Sequence, residues 1–343
     1  SALTPKSAKA LLEAGFEVYV ERSYQAAIPA QAFSDIGCKI VTPGSWVQAP
    51  ADAFILGLKE LPDDGTPLRH RHIYFAHAYK EQKGWRETLG RFAQGGGKLY
   101  DIEFLVDENS RRVAAFGYWA GYAGAAVGVM TWCGQQLGVH PVVPPLQSYN
   151  SRDSLLNELR NELQIAAAGM YDRPSIMIIG AKGRSGTGAS ALAAALELPA
   201  TRWDVEETSQ GGPFEQALGH DVFVNCVLVN KSIPPFITHS QISSPNRQLS
   251  VISDVSCDPY GDYNPLPIYT ECTTFEDPAR RLIESSNPLD LVAIDHLPSM
   301  LPVESSEDFS RQLLPHLLRI EDPSNPVWGG ALAMFERKVQ EIN

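Results

Sequence analysis

Residues 174–204 place an apolar run, a glycine turn, a small-residue helix and an acid in a fixed order: PSIMIIGAKGRSGTGASALAAALELPATRWD. Ile176–Ile179 has strand character, Gly180, Gly183 and Gly186 punctuate the turn, and the alanines and leucines that follow favour helix. A strand that feeds a helix through such a turn opens a βαβ unit, which commits the chain to parallel sheet covered by helices. The first two glycines let the backbone turn sharply and come close to a pyrophosphate. The helix N-terminus offers that anion N–H groups and a positive dipole end. Asp204 stands where such a unit holds the carboxylate that accepts hydrogen bonds from an adenosine ribose. A 2′-phosphate there would meet negative charge, so the pattern favours NAD over NADP, with Arg184 and Arg202 pulling the other way. The spacing G-x-x-G-x-x-G departs from the usual G-x-G-x-x-G, and an ordinary βα unit with a glycine turn and no ligand is the alternative.

At 343 residues the chain has room for two domains, at about 150 residues per domain. A net charge of −12 and the lack of any basic run argue against a nucleic-acid partner, although local cations can still bind an anionic substrate. Cys38, Cys133, Cys226, Cys257 and Cys272 are scattered, without CxxC spacing, as in a reducing compartment and without a thiolate metal site. The sequence opens without a signal peptide, and its end, VQEIN, carries no peroxisomal or ER address. A cytoplasmic protein is expected; a trimmed C-terminal address would place it in the peroxisome.

Val113–Ser151 contains no Asp, Glu, Lys or Arg, and Phe116–Leu137 is long enough to span a bilayer. Gln135, Gln136 and the glycines oppose that reading. Gly117, Gly121, Gly124 and Gly128 fall on one helical face, which lets another backbone pack very close. The stretch is expected as a buried helix crossing between domains, not as a membrane span.

Elsewhere the patterns alternate. Strands are expected at Glu17–Val20, Cys38–Val41, Ala53–Leu58, His72–Ala78 and Lys98–Phe104, with helices at Ala8–Ala14, Gln31–Asp35 and Tyr79–Phe92. Later come a helix at Ser154–Gly169, strands at Asp221–Asn230 and Leu249–Val255, and a return segment, Ser285–Leu301. Helices at Asp308–Leu318 and Val327–Ile342 are expected to pack back onto the first domain. The fold class is α/β: two Rossmann-like domains with parallel sheets flanked by helices and a cleft between them. The first would comprise residues 1–115 with 301–343, the second, nucleotide-binding, residues 116–300.

Several chemically able residues close apolar runs, where parallel sheets bind ligands. Lys59 and Glu60 end Phe54–Leu58; His77 and Lys80 follow Ile73–Phe75. A desolvated lysine can lose its proton near neutral pH, and histidine titrates there unaided. A solvated loop lysine and a hydrogen-bonded core histidine are the plainer alternatives. Asp101, Glu103, Arg111 and Arg112 form another charged group, and Arg112 suits bidentate carboxylate binding or a structural salt bridge. His70-Arg71-His72 with His77 would be a metal site only against the intervening arginine and the missing carboxylate. Asp295-His296 closes Leu289–Ile294 and reads as a site residue or a turn.

SALTP, GLKELP, FAHAYK, LYDIEFL, RRVAAFG, GAKGRSG, RWDVEETSQGGPF and IDHLPSMLP, in this order along nearly the whole chain, resemble the saccharopine dehydrogenase family, the NAD-dependent, lysine-forming enzymes of fungal lysine biosynthesis. The resemblance implies oxidation of saccharopine by hydride transfer to NAD, then hydrolysis of the imine to L-lysine and 2-oxoglutarate. It implies Lys59 as the base for the secondary amine and His77 as the proton shuttle during imine hydrolysis. Glu60 and Glu103 would tune those two and receive the lysine-side ammonium, and Arg112 would anchor a carboxylate. Lys80 and Gln82 would line the same segment, and Asp295 would lie between substrate and nicotinamide. Gly180, Gly183, Arg184, Ser185, Gly186, Asp204 and Thr208 match the cofactor-binding positions, with Gly211 and Gly212 close by. Ser185 stands where some members carry a cysteine able to pair with the one matching Cys226. The family also carries a substrate-binding arginine and a strand just before the SALTP motif. A monomer with small-molecule substrates and no metal is implied. An alanine-dehydrogenase-like enzyme using ammonia, or a regulatory protein that binds NAD without catalysis, remain alternatives.

Overall fold

The computed structural model describes residues 1–59, 61–168, 173–229, 231–261, 263–322 and 324–342. The chain divides into two compact units, residues 1–115 with 306–343 and residues 116–305.

The first unit opens with α1 (Pro5–Glu13), β1 (Tyr19–Glu21), α2 (Ala30–Ser34) and β2 (Lys39–Val41). β1 and β2 pair in parallel, and Ala8, Phe33 and Cys38 close a small core beneath them. β3 (Phe54–Leu56), β4 (Arg71–Tyr74) and β5 (Lys98–Asp101) form a parallel three-stranded sheet, with α3 (Trp85–Gly95) before β5. The helix expected at Tyr79–Phe92 begins only at Trp85. His77, Glu81 and Gly84 take left-handed φ of 53°, 58° and 87°, which interrupts any regular helix before it. The strand expected to reach Phe104 stops at Asp101, whose carboxylate accepts the Glu103 N–H at 3.0 Å and starts a 3₁₀ turn over Ile102–Phe104.

The second unit begins with α4 (Gly117–Leu137) and α5 (Arg152–Ala168). α4 lies wholly within this unit, with its stretch Gly121–Gly134 buried. Its glycine face is a contact surface: a Cβ on Gly121 would stand 1.7 Å from the Ser185 carbonyl oxygen, and one on Gly128 3.2 Å from Val222 Cγ1. At Gly121 backbone therefore meets backbone, which only glycine permits, while at Gly128 the helix packs closely on a side chain. No helix among the described residues is long and apolar enough to cross a membrane.

Next come β6 (Ile176–Ile179), α6 (Arg184–Ala195), β7 (Ala200–Trp203), α7 (Val205–Thr208), β8 (Val222–Asn225), α8 (His239–Ile242), β9 (Val251–Asp254), β10 (Arg280–Ile283) and β11 (Leu289–Val292). They form a six-stranded sheet in the order β10-β11-β9-β8-β6-β7. Five strands are parallel; β10 pairs antiparallel with β11. Arg280–Ile283, two arginines followed by two aliphatic residues, shows no alternation that would mark a strand, and the connection to β11 is too short for the crossover that parallel pairing needs. β7 lies on one side of β6 and β8 on the other, so the strand order reverses at the carboxyl end of β6.

α9 (Pro302–Leu317) and α10 (Pro326–Gln340) end the chain. Gln312 exchanges hydrogen bonds with both backbone groups of Ala115 at 3.2 Å. Phe335 of α10 meets the buried Phe92 edge-on, with ring centroids 5.8 Å apart, so α10 covers the β3-β4-β5 sheet beside α3.

Candidate active site

In the first unit the chemistry gathers on one carboxylate. Glu103, carried by the 3₁₀ turn after β5, is largely buried, with 10% of its side chain exposed. Its Oε1 accepts from Lys80 Nζ at 2.7 Å and from Arg112 Nη2 at 2.6 Å, and its Oε2 lies 3.8 Å from His77 Nδ1. Burial pushes the Glu103 carboxyl up, but the Lys80 hydrogen bond and the charges of Arg112, Lys80 and His77 outweigh it and leave Glu103 below the usual range. Arg112 arrives by a tight reversal: Val106 and Arg112 bridge antiparallel, and the Val113 N–H donates to the Leu105 carbonyl at 2.8 Å. Arg111, expected in the same group, is exposed and contributes its carbonyl to that reversal.

His77 follows β4 in its left-handed conformation, its ring stacked on Phe75 with centroids 6.4 Å apart. A non-glycine residue held at φ 53° is strained, and such strain persists where the surroundings over-determine it. Lys59 is exposed on the turn after β3, at the same carboxyl edge as His77 and Glu103, because β3, β4 and β5 run parallel side by side. Gln82 is exposed and gives its carbonyl to the Trp85 N–H at 3.1 Å. Glu60 lies outside the described residues.

Beneath the group sits a residue that the sequence places beside Glu103 and the arginines without assigning it a role. Asp101, fully buried at the end of β5, has Oδ2 without a hydrogen-bond partner. Burial pushes its carboxyl up to about 6; the Glu103 N–H pulls it down, and the Glu103 charge adds to the rise. Its place in that charged group is legible in the sequence; its complete burial is not. His70 and His72 point elsewhere. The His72 ring meets Trp46 and Phe92 edge-on at 5.1 and 5.4 Å, and burial, then the charges of His70 and Arg91, push its pKa down to about 4. Among the described residues no group of three or more His, Cys, Asp or Glu could hold a metal ion.

In the second unit the site is made mostly of backbone. Gly180 closes β6 with φ 85°, and a Cβ there would stand 2.7 Å from Val227 Cγ2. Gly183 differs from expectation: its φ of −74° suits any residue, and it serves as the N-cap of α6 with no side-chain cap bond. The N–H groups of the first turn, which lack intrahelical partners, are thus left to an anion. Gly186 has no room at all, a Cβ being 2.0 Å from the Gly180 carbonyl oxygen. Arg184 is exposed and Ser185 half-buried at the start of the helix.

Asp204 works locally as well. Its Oδ2 accepts the Lys182 N–H at 2.7 Å, tying the glycine turn to the end of β7, and its Oδ1 accepts the Val205 N–H at 2.9 Å. Glu207 returns the bond to the Asp204 N–H at 2.8 Å, and Thr208 Oγ1 donates to the Asp204 carbonyl at 2.7 Å. Arg202 is exposed beside it. A Cβ on Gly212 would stand 2.0 Å from the Pro235 carbonyl oxygen, so that glycine packs the loop after α7. Asp295 is exposed past β11, on the same carboxyl edge as Gly180. A dinucleotide fits this edge by its glycine cradle, its uncapped helix and its switch in strand order.

Residues 1–123 match the family model described as alanine dehydrogenase/PNT, N-terminal domain. A solved L-alanine dehydrogenase superposes with a TM-score of 0.66 at 15% identity, covering 100% of this chain and 96% of its own. At that identity the likeness establishes the fold: two Rossmann-like halves. Sequence relatives are far nearer. Saccharopine dehydrogenase (NAD(+), L-lysine-forming) of Schizosaccharomyces pombe is 46% identical over 100% of this chain and 95% of its own length. The protein of the same name from Emericella nidulans is 47% identical over 100% of this chain and 94% of its own. Likeness of that extent, together with the Glu103 group and the glycine turn, places the chain in the saccharopine dehydrogenase (NAD(+), L-lysine-forming) family.

Proposed function

We propose that this chain oxidatively cleaves saccharopine, a secondary amine joining lysine to glutarate, in the overall reaction saccharopine + NAD⁺ + H₂O → L-lysine + 2-oxoglutarate + NADH + H⁺. The observation that carries the reading is the gathering of Lys80, Arg112 and His77 on the single carboxylate of Glu103 at the strand ends. A substrate with carboxylates and an ammonium needs cations and acids side by side, and this edge supplies both.

NAD, when bound, supplies the hydride acceptor; Gly180, Gly183, Arg184, Ser185, Gly186, Asp204 and Thr208 would hold it, with Asp295 at the nicotinamide end. Lys59 takes the proton from the secondary amine, which frees the nitrogen lone pair to expel the hydride from the adjacent carbon. Water then adds to the imine carbon, and His77 accepts its proton. Returned to nitrogen, that proton makes the amine a leaving group, and the freed His77 takes the hydroxyl proton as the carbinolamine collapses to keto acid and amine. Glu103, with its Oε2 3.8 Å from His77 Nδ1, orients the imidazole during that exchange. Arg112 and Lys80 anchor substrate carboxylates, Gln82 adds a polar contact, and Glu60 with Glu103 receives the lysine-side ammonium.

The test is spectrophotometric. NADH should be consumed with L-lysine plus 2-oxoglutarate and not with pyruvate plus ammonia. The reverse preference would make the chain an alanine-dehydrogenase-like enzyme, and NADH binding without turnover of either pair would make it a regulatory protein. The proposal extends to a monomer acting in the cytoplasm, to be checked by sedimentation and by cell fractionation.

A further inference from the structure

Cys257 and Cys272 lie 15 residues apart in sequence, yet the Cys257 thiol donates to Cys272 Sγ at 3.2 Å. Both are half-buried, each next to an exposed acid, Asp258 and Glu271. Small oxidants therefore have a route that the buried Cys38 and Cys133 lack. Each thiol is anchored to a different strand end. Cys257 follows β9 with a left-handed φ of 47°, and Asp254 gathers the hydroxyl of Ser256 at 2.7 Å and that of Tyr269 at 2.6 Å around it. Cys272 precedes Thr273, whose N–H donates to the Ala293 carbonyl at 2.7 Å and whose Oγ1 accepts the Ala293 N–H at 2.9 Å. Ala293 continues β11 towards Asp295.

We infer that Cys257 and Cys272 form a reversible disulfide site, a clip that fastens the β9 end to the β11 end on the nucleotide edge of the second unit. A sulfur–sulfur bond is about 2.05 Å long, so closure needs the sulfurs to move together by roughly 1 Å, within reach of small χ1 adjustments. The oxidant is a small-molecule disulfide. One cysteine thiolate attacks it, releasing one thiol and leaving a mixed disulfide. The other cysteine then attacks the protein sulfur of that mixed disulfide and expels the second thiol. Two electrons and two protons thus pass from the cysteines to the small molecule. Burial holds the Cys257 thiol up, with the Cys272 bond and the charges of Asp254 and Asp295 adding to this, so a neutral oxidant suits the site better than an anionic one.

The site is independent of the reaction proposed above and can be tested on the full chain without any substrate. Protein incubated with 2-hydroxyethyl disulfide is digested without reductant and mapped by mass spectrometry. A peptide pair joining Cys257 to Cys272, lighter by two hydrogens, is expected. The melting temperature should rise by at least about 4 °C, because the bond closes a 15-residue loop, and dithiothreitol should reverse the rise. The Cys272→Ser variant should show neither change. Absence of the linked peptide in wild-type protein, or an equal rise in melting temperature in Cys272→Ser, would overturn the inference.

Discussion

The Glu103 group and the glycine turn solve the same problem, holding charge at the carboxyl edge of a parallel sheet, by opposite means. In the first unit the charges belong to side chains that come from residues 77, 80, 103 and 112 and meet on one carboxylate. In the second the work is done by backbone within residues 180–186, by Asp204, and by the helix terminus behind it. Side-chain chemistry can be altered one group at a time. Backbone chemistry can be altered only by deforming the chain, so substitutions in the two places should fail differently.

The largest expected effect is on turnover. Lys59→Met should slow hydride transfer by roughly a thousandfold, within the range of a lost general base, while the NADH dissociation constant stays within about twofold. Equal losses in both, from stopped-flow and titration, would remove Lys59 from its role. Gly186→Ala should act the other way. Its Cβ, 2.0 Å from the Gly180 carbonyl oxygen, must displace backbone, costing about 1–3 kcal/mol in denaturant melts and weakening NADH. Unchanged stability would mean that the turn is softer than its geometry implies.

A pair of buried groups in the first unit offers an effect of similar size that depends on pH. Asp101, with its pKa raised to about 6, binds a proton in the fold that the unfolded chain has lost, so its contribution falls as pH climbs from about 4 to 6. His72, lowered to about 4, does the opposite: the unfolded chain binds the extra proton, and stability grows as pH climbs from about 4 to 6.5. Each is worth about 3 kcal/mol across its window, so the two largely offset. Thermal melts of Asp101→Asn should therefore show stability rising through this range, and those of His72→Phe should show it falling. If either variant tracks wild-type protein, the offset is not real. A smaller effect is expected of Arg112→Ala, which should raise the Michaelis constant of the keto acid about tenfold or more, as for a lost charged hydrogen bond, and leave NADH affinity alone.

How much of this was legible in the sequence follows from the same contrast. The glycine turn, the acid after it and the glycine face of α4 are local patterns with fixed periods, and each could be read directly. Even there, Gly183 proved to need no left-handed φ, and the groups that hold Asp204, such as the Lys182 N–H, carry no side-chain signal. The Glu103 group depended on where strands stop. An expected strand to Phe104 would have left Glu103 on a sheet face, whereas Asp101 captures a backbone N–H and turns the chain. The reversal that delivers Arg112, the antiparallel β10 and the Cys257–Cys272 approach are products of tertiary packing, which periodicity does not encode.

Where α4 and α6 touch through Gly121 and Gly188, neither tolerates even a methyl group: a Cβ on Gly188 would stand 1.8 Å from the Tyr118 carbonyl oxygen. The floor of the proposed nucleotide site is therefore closed to innovation, since every larger residue would prise two helices apart. Any drift in coenzyme preference among descendants of this protein has to be written on the exposed margin, at Arg202 and its neighbours.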